Sequence, residues 1–197
     1  MADERYVLRR FDYTRAARLD DPKRFDDLPP DDVVALIDAP RDGVVLDFGA
    51  GTGTYALAFA ERRPDCTLIG LDSQPEMLEL LRAKPGSERI RTGGAELLST
   101  LAGRIDRVFS INVLHELEDD DLRALRAFLA PGGRAIVIDW NADVERPSGP
   151  AREHCYGPQT AERFLEPLGF SIERTVLFRY QYALIATDVP SGPRATT

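Results

Sequence analysis

The 197-residue sequence predicts an α/β fold, a doubly wound sheet with helices on both faces. Three observations point there. From residue 44 onward, short apolar runs of strand character alternate with stretches whose apolar residues recur at helical spacing. The first run passes through a glycine-rich turn into a helix, the strand–loop–helix unit of such sheets. The last two strand-like runs are joined by only a few residues, which forces an antiparallel pair, because a parallel crossover needs a dozen or more.

Each element follows in order. The polar, charged stretch to Asp27 reads as a short helix and loop, so residues 1–29 form an N-terminal helical segment ahead of a main domain at 30–188. Pro29 and Pro30 open a helix through Ile37, with Asp31 and Asp32 suited to its positive N-terminal end. Val44 to Phe48 is the first strand and Tyr55 to Ala60 a helix. Thr67 to Asp72 is the second strand, and Pro75 starts the helix through Leu81. A weaker strand lies near Arg89 to Arg91 and a short helix near Leu97 to Leu101. Asp106 to Ile111 is the fourth strand, Asp119 to Leu129 a helix, and Arg134 to Asp139 the fifth strand, entered through Pro131-Gly132-Gly133. Asn141 to Gly157 is a loop and Gln159 to Leu168 a helix ended by Gly169. Phe170 to Val176 and Tyr182 to Thr187 are the closing pair, and residues 189–197, rich in Pro, Gly, Ser and Thr, read as a disordered tail.

Composition narrows the function. Lys plus Arg number 25 against 33 Asp plus Glu, a net charge of −8, which argues against a phosphate-backbone partner such as DNA or RNA. No apolar run approaches the ~20 residues that span a bilayer, and Met1 to Arg5 does not resemble a signal peptide. Two distant cysteines, Cys66 and Cys155, without ligand spacing point to a reducing cytoplasm, no disulfide framework and no metal; Cys66, in a strand-like run, is expected buried and inert.

The most informative segment is Val45-Leu46-Asp47-Phe48-Gly49-Ala50-Gly51-Thr52-Gly53. Glycines at alternate positions let the backbone turn sharply and approach a ligand. The helix N-terminus beyond them offers N–H donors to a carboxylate or a phosphate. Asp47 can accept a hydrogen bond from an ammonium group, and Asp72, ending the second strand about 20 residues on, can hold ribose hydroxyls. A dinucleotide fingerprint fails, because Thr54 stands where its last glycine belongs, and no P-loop Gly-Lys-Ser/Thr occurs.

With Gly70-Leu71-Asp72, Ser110 to Glu116 and Leu129 to Gly133 in order behind that loop, the chain resembles the class I S-adenosylmethionine-dependent methyltransferases, in particular the broad group similar to ubiquinone/menaquinone-biosynthesis enzymes. The resemblance runs from about Pro30 to Asp188. It implies a Rossmann-like seven-stranded sheet, mostly parallel with an antiparallel last strand. It implies S-adenosyl-L-methionine as cofactor, with S-adenosyl-L-homocysteine as product. By resemblance Asp47, Gly49, Ala50, Gly51 and Gly53 line the methionine end, Asp72 holds the ribose, and Ser73 and Gln74 flank the adenosine. Ala95 and Glu96 cap the adenine edge, where the family commonly has an aspartate and this chain has Gly94. Asn112 and Val113 lie near the transferring methyl group. Arg18 to Pro22 recurs in bacterial members and forms part of a lid.

Methyl transfer is an in-line displacement with an excellent leaving group, so positioning carries much of it and a general base serves some acceptors. His115, after the fourth strand, is the first candidate for the chemistry; Glu116 or backbone holding it in a helix entry is the alternative. Asp139 either contacts substrate or caps its loop, and His154, in the loop before the last helix, either contacts substrate or lies on the surface. Tyr55 either packs near the sulfonium or fills the core. His115-Glu116 does not extend to a zinc-protease H-E-x-x-H, since Asp119 stands at the second histidine position. A small-molecule methyltransferase is the leading reading. A non-catalytic S-adenosylmethionine-binding or regulatory module and a nicotinamide-dependent oxidoreductase are the alternatives. A nucleic-acid methyltransferase is disfavoured by charge and by Asn112-Val113-Leu114-His115 in place of an Asn/Asp-Pro-Pro-aromatic motif.

Overall fold

The computed structural model of the protein describes residues 11–94, 97 and 100–188. Seven strands form one sheet: β1 (Val44–Phe48), β2 (Thr67–Leu71), β3 (Ile90–Gly93), β4 (Ile105–Ile111), β5 (Leu129–Trp140), β6 (Phe170–Leu177) and β7 (Gln181–Asp188). Their spatial order is β3-β2-β1-β4-β5-β7-β6. The pairs among β1 to β5 are parallel, whereas β7 runs antiparallel to both β5 and β6 between which it lies. The mostly parallel sheet with an antiparallel last strand is thus as expected. Chain order reverses direction across the sheet between β1 and β4, which opens a crevice at the C-terminal strand ends.

The described α-helices are α1 (Arg24–Asp27), α2 (Pro30–Ile37), α3 (Thr54–Arg62), α4 (Pro75–Arg82), α5 (Asp119–Phe128) and α6 (Pro158–Leu165). Adjacent strand residues face opposite sides, so each strand feeds two cores. Val45, Leu68, Phe109, Ile136 and Ile185 meet Ile37 of α2, Phe59 of α3 and Leu81 of α4 on one side. Leu46, Ile69, Val108, Val137 and Leu184 meet Leu122 and Leu125 of α5 and Leu165 of α6 on the other. Proline stands at the first turn of α2, α4 and α6, where its missing N–H costs nothing. At α5, Glu118 and Asp121 form a reciprocal capping box.

Three expectations are adjusted. β5 begins at Leu129, five residues early, because Leu129 pairs with Ile105 before Pro131-Gly132-Gly133 shift the register to Arg107–Arg134. α6 stops at Leu165, and Glu166–Leu168 tighten into a 3-10 turn. Cys66 is half-buried in the bend before β2, with its thiol on the Pro40 carbonyl. The helix expected near Leu97 to Leu101 lies only partly within the described residues, and the tail 189–197 lies outside them.

Candidate active site

The crevice holds a cavity of about 620 Å³ at the ends of β1, β2 and β4. The glycine loop forms one wall. Gly49 and Gly53 adopt φ of +82° and +78°. A Cβ on Gly49 would lie 2.8 Å from Val113, and one on Gly53 would lie 2.5 Å from Cγ of Leu81, so neither position admits a side chain without movement. Four of the loop's own N–H donors are committed. Gly49 and Ala50 N–H donate to the Leu71 carbonyl, Gly53 N–H to the Ala50 carbonyl, and Gly51 N–H to Asp72 Oδ2 at 2.7 Å. The Gly49, Ala50 and Gly51 N–H groups thus hold the loop against the end of β2 and orient Asp72, and the Gly53 N–H closes the turn.

Two carboxylates converge on this cavity. Asp72 is fixed on its other side by the Gln74 N–H at 2.9 Å. Asp47, only 4 % exposed, lines the same wall. Burial, and then the neighbouring Asp72 charge, push the Asp47 carboxyl well above the usual carboxylate range. Asn112 adds a third polar atom. It takes a left-handed φ of +60°, donates its N–H to the Ile138 carbonyl, and buries a side-chain oxygen that no donor among the described residues reaches.

The N-terminal segment packs across this wall. A 3-10 helix at Tyr13–Asp20 brings Phe11, Leu19 and Arg24 into the cavity lining. Asp20 Oδ1 accepts from Thr52 Oγ1 at 2.6 Å and Lys84 Nζ at 2.5 Å, and Thr54 Oγ1 lies 2.7 Å away. Burial alone would raise the Asp20 carboxyl, but these bonds outweigh it and hold its pKa low. Phe11 N–H donates to Glu116 Oε2, and its carbonyl accepts from the Gln74 amide. Tyr55 both lines the cavity and fills the core, donating to the Leu28 carbonyl at 3.0 Å.

Beyond Asn112, a short 3-10 turn (Leu114–Glu116) places the candidate acid–base groups. Asp139, fully buried at the end of β5, accepts the His115 N–H at 2.8 Å and faces the His115 ring nitrogen Nδ1 at 2.9 Å. It also accepts the Trp140 N–H. Burial opposes charge on His115, but the Asp139 charge, its hydrogen bond and Glu116 together raise the imidazole above its ordinary value. His115 Nε2 lies 3.6 Å from Glu116 Oε1. Of the three, Glu116 lines the cavity; its pKa is pushed up to about 7, burial being the main cause.

Most expected site residues meet at this cavity: Asp47, Gly49, Ala50, Gly51, Asp72, Ser73, Gln74, Asn112 and Val113 all line it. Gly53 sits behind them as the N-cap of α3. Ala95 and Glu96 lie outside the described residues, and Gly94 beside them lines the cavity. His115 and Asp139 stand one layer back: Asp139 holds His115, His115 contacts Glu116, and neither lines the cavity. His154 is exposed on a 3-10 turn away from the lining, because its loop folds back through the Asn141–Tyr156 bridge. Sequence reasoning missed Glu116, Phe11 and Arg24 as wall residues. For Glu116 the available signal was a lone acid between Leu114 and Leu117 at the ligand edge; for the other two no local motif exists.

Comparison with known proteins agrees with this geometry. Residues 45–133 match the model of the methyltransferase domain family. The demethylmenaquinone methyltransferase of Deinococcus radiodurans is 32% identical over 112 residues, 54% of this chain and 46% of that protein. The release factor glutamine methyltransferase of Mycolicibacterium smegmatis is 36% identical over 111 residues, covering 50% and 39%. The chain thus spans less than half the length of these curated relatives. The crystal structure of a SAM-dependent methyltransferase from Aquifex aeolicus superposes with a TM-score of 0.82 at 25% identity, over 90% of this chain and 98% of that one. The glycine loop, the paired acids and the sheet order agree with these similarities, which together support a class I S-adenosylmethionine-dependent methyltransferase.

Proposed function

We propose that this chain binds S-adenosylmethionine in the 620 Å³ cavity and transfers its methyl group to a small-molecule acceptor. The observation that carries the reading is the convergence of Asp47, Asp72 and the unpaired Asn112 oxygen on one wall beneath glycines that leave no room for side chains. Those residues suit a cationic ligand. An ammonium group beside Asp47 relieves the repulsion from Asp72 and restores the ionised carboxylate, and it supplies the donor that Asn112 lacks. Asp72, oriented by two backbone N–H groups, receives the ribose hydroxyls. Ser73 and Gln74 flank the adenosine, and Asn112 and Val113 border the methionine end. When bound, the cofactor supplies an electrophilic methyl carbon on a sulfonium leaving group.

The protein's own contribution is orientation and exclusion of water. The Asp20 bonds to the glycine loop hold Leu19 over Gly51, which supports a lid role for the N-terminal segment. Phe11, Leu19, Phe48, Ile111, Val113 and Leu117 give the cavity an apolar lining, which favours an apolar small molecule over a charged macromolecule. His115 and Asp139 act as positioning residues behind that wall. Replacing Asp72 by alanine removes a charged hydrogen-bond partner worth about 1.5–3 kcal/mol, roughly a 10- to 100-fold loss in S-adenosylmethionine affinity. Calorimetry on the folded variant checks this, and unchanged affinity would contradict the assignment.

A further inference from the structure

We propose that Glu116 is the group that accepts the proton from the methyl acceptor, and that the acceptor is an apolar molecule bearing a hydroxyl on an aromatic or enolic carbon. The inference rests on the methyl-transfer reading above and adds the base and the acceptor class.

Geometry singles out Glu116. Among Asp139, His115 and Glu116, it is the one on the cavity wall, and it shares that wall with Asn112 and Val113. One carboxylate oxygen is held by the Phe11 N–H and the other faces His115 Nε2 at 3.6 Å, beyond hydrogen-bond distance, so both contacts aim the group. His115 is itself a poor base, because Asp139 at 2.9 Å favours its protonated form and the ring then presents an N–H toward Glu116. A carboxylate that titrates near neutrality is matched to proton transfer at working pH. The charged groups facing Glu116 are His115 from its own turn, Asp139 from β5 and Asp72 from the end of β2; Arg146 acts on His115 from the loop after β5. Phe11, Ile111, Val113 and Leu117 line the same cavity and suit an apolar ring.

The step balances simply. The acceptor oxygen uses a lone pair to form the O–C bond to the methyl carbon. The C–S bond breaks and leaves its electron pair on sulfur, which becomes a neutral thioether. The O–H proton passes to Glu116, which enters ionised and leaves protonated, then loses the proton to water as product departs. His115 steadies the ionised form of Glu116 before the step.

The test compares wild type with Glu116→Gln on a phenol series, from phenol, which is un-ionised at pH 8, to nitrophenols already ionised there, reading S-adenosylhomocysteine formed. The result expected is a loss of about 100-fold or more on un-ionised phenols and under about tenfold on ionised ones, as a 10²–10⁴ contribution from a general base requires. S-adenosylmethionine affinity, measured by calorimetry, should stay within about threefold. In addition, the Glu116 carboxyl signal in ¹³C NMR should titrate near 7 in wild type and move to higher pH in His115→Gln. An equal loss across the series, or a Glu116 signal indifferent to His115, overturns the base assignment. Wild type that binds S-adenosylmethionine yet methylates no phenol overturns the acceptor class. Failure of wild type to bind S-adenosylmethionine at all instead overturns the reading beneath it.

Discussion

Asp47 carries a conflict between stability and binding. Its carboxyl is buried beside Asp72, and its pKa lies well above the ordinary range. The folded protein therefore keeps a proton that the unfolded chain releases, so stability falls as pH rises from the ordinary carboxylate range through the raised value. Glu116 acts in the same direction between its ordinary 4.5 and about 7. Urea unfolding of the ligand-free protein should show stability decreasing over that interval, and a flat profile would contradict the burial that raises both groups. Asp47→Asn removes the charge while keeping the shape. The ligand-free variant should melt higher, by about 2–4 °C for each kcal/mol relieved, while S-adenosylmethionine affinity falls at least about tenfold. A lowered melting temperature with intact affinity would place the ligand's cation elsewhere.

At the scale of elements, the β1–loop–α3 unit depends on a backbone that only glycine adopts without strain. Gly53→Ala combines φ of +78° with a clash against Leu81 of α4, and it should cost about 1–3 kcal/mol in chemical denaturation. A neutral result would mean that α4 yields more readily than its burial suggests. This unit was legible in the sequence because strand, turn and helix are local: Val44–Phe48, alternate glycines and Thr54–Arg62 carry their pattern within 20 residues. The N-terminal segment was less so. Asp20 meets Thr52, Thr54 and Lys84 across 32 to 64 residues, and no periodicity marks such pairings. If these bonds hold a lid, Asp20→Ala should speed S-adenosylmethionine dissociation several-fold in stopped-flow fluorescence while leaving the circular dichroism spectrum unchanged. Equal off-rates would make the contact purely structural.

For the whole molecule, the sheet order β3-β2-β1-β4-β5-β7-β6 explains why the site lies where it does. Asp47, Asp72 and Asn112 follow from the ends of β1, β2 and β4, so a correct strand reading placed them together in advance. His115 and Asp139 were also legible as strand-end residues, but their distance from the cavity was not: which side chain stands in front depends on how the 3-10 turn at Leu114–Glu116 rotates. The cavity side proposed for the acceptor draws on Phe11 and, far along the chain, on Ile111 and Leu117, and is readable only in three dimensions. No described helix is long and apolar enough to cross a membrane. The most direct measurement is a calorimetric titration of the purified protein with S-adenosylmethionine, S-adenosylhomocysteine and NADH in parallel. Binding of both adenosyl compounds with micromolar affinity, and none of NADH, is the expected result. Binding of NADH alone, or of none of the three, would contradict the cofactor assignment.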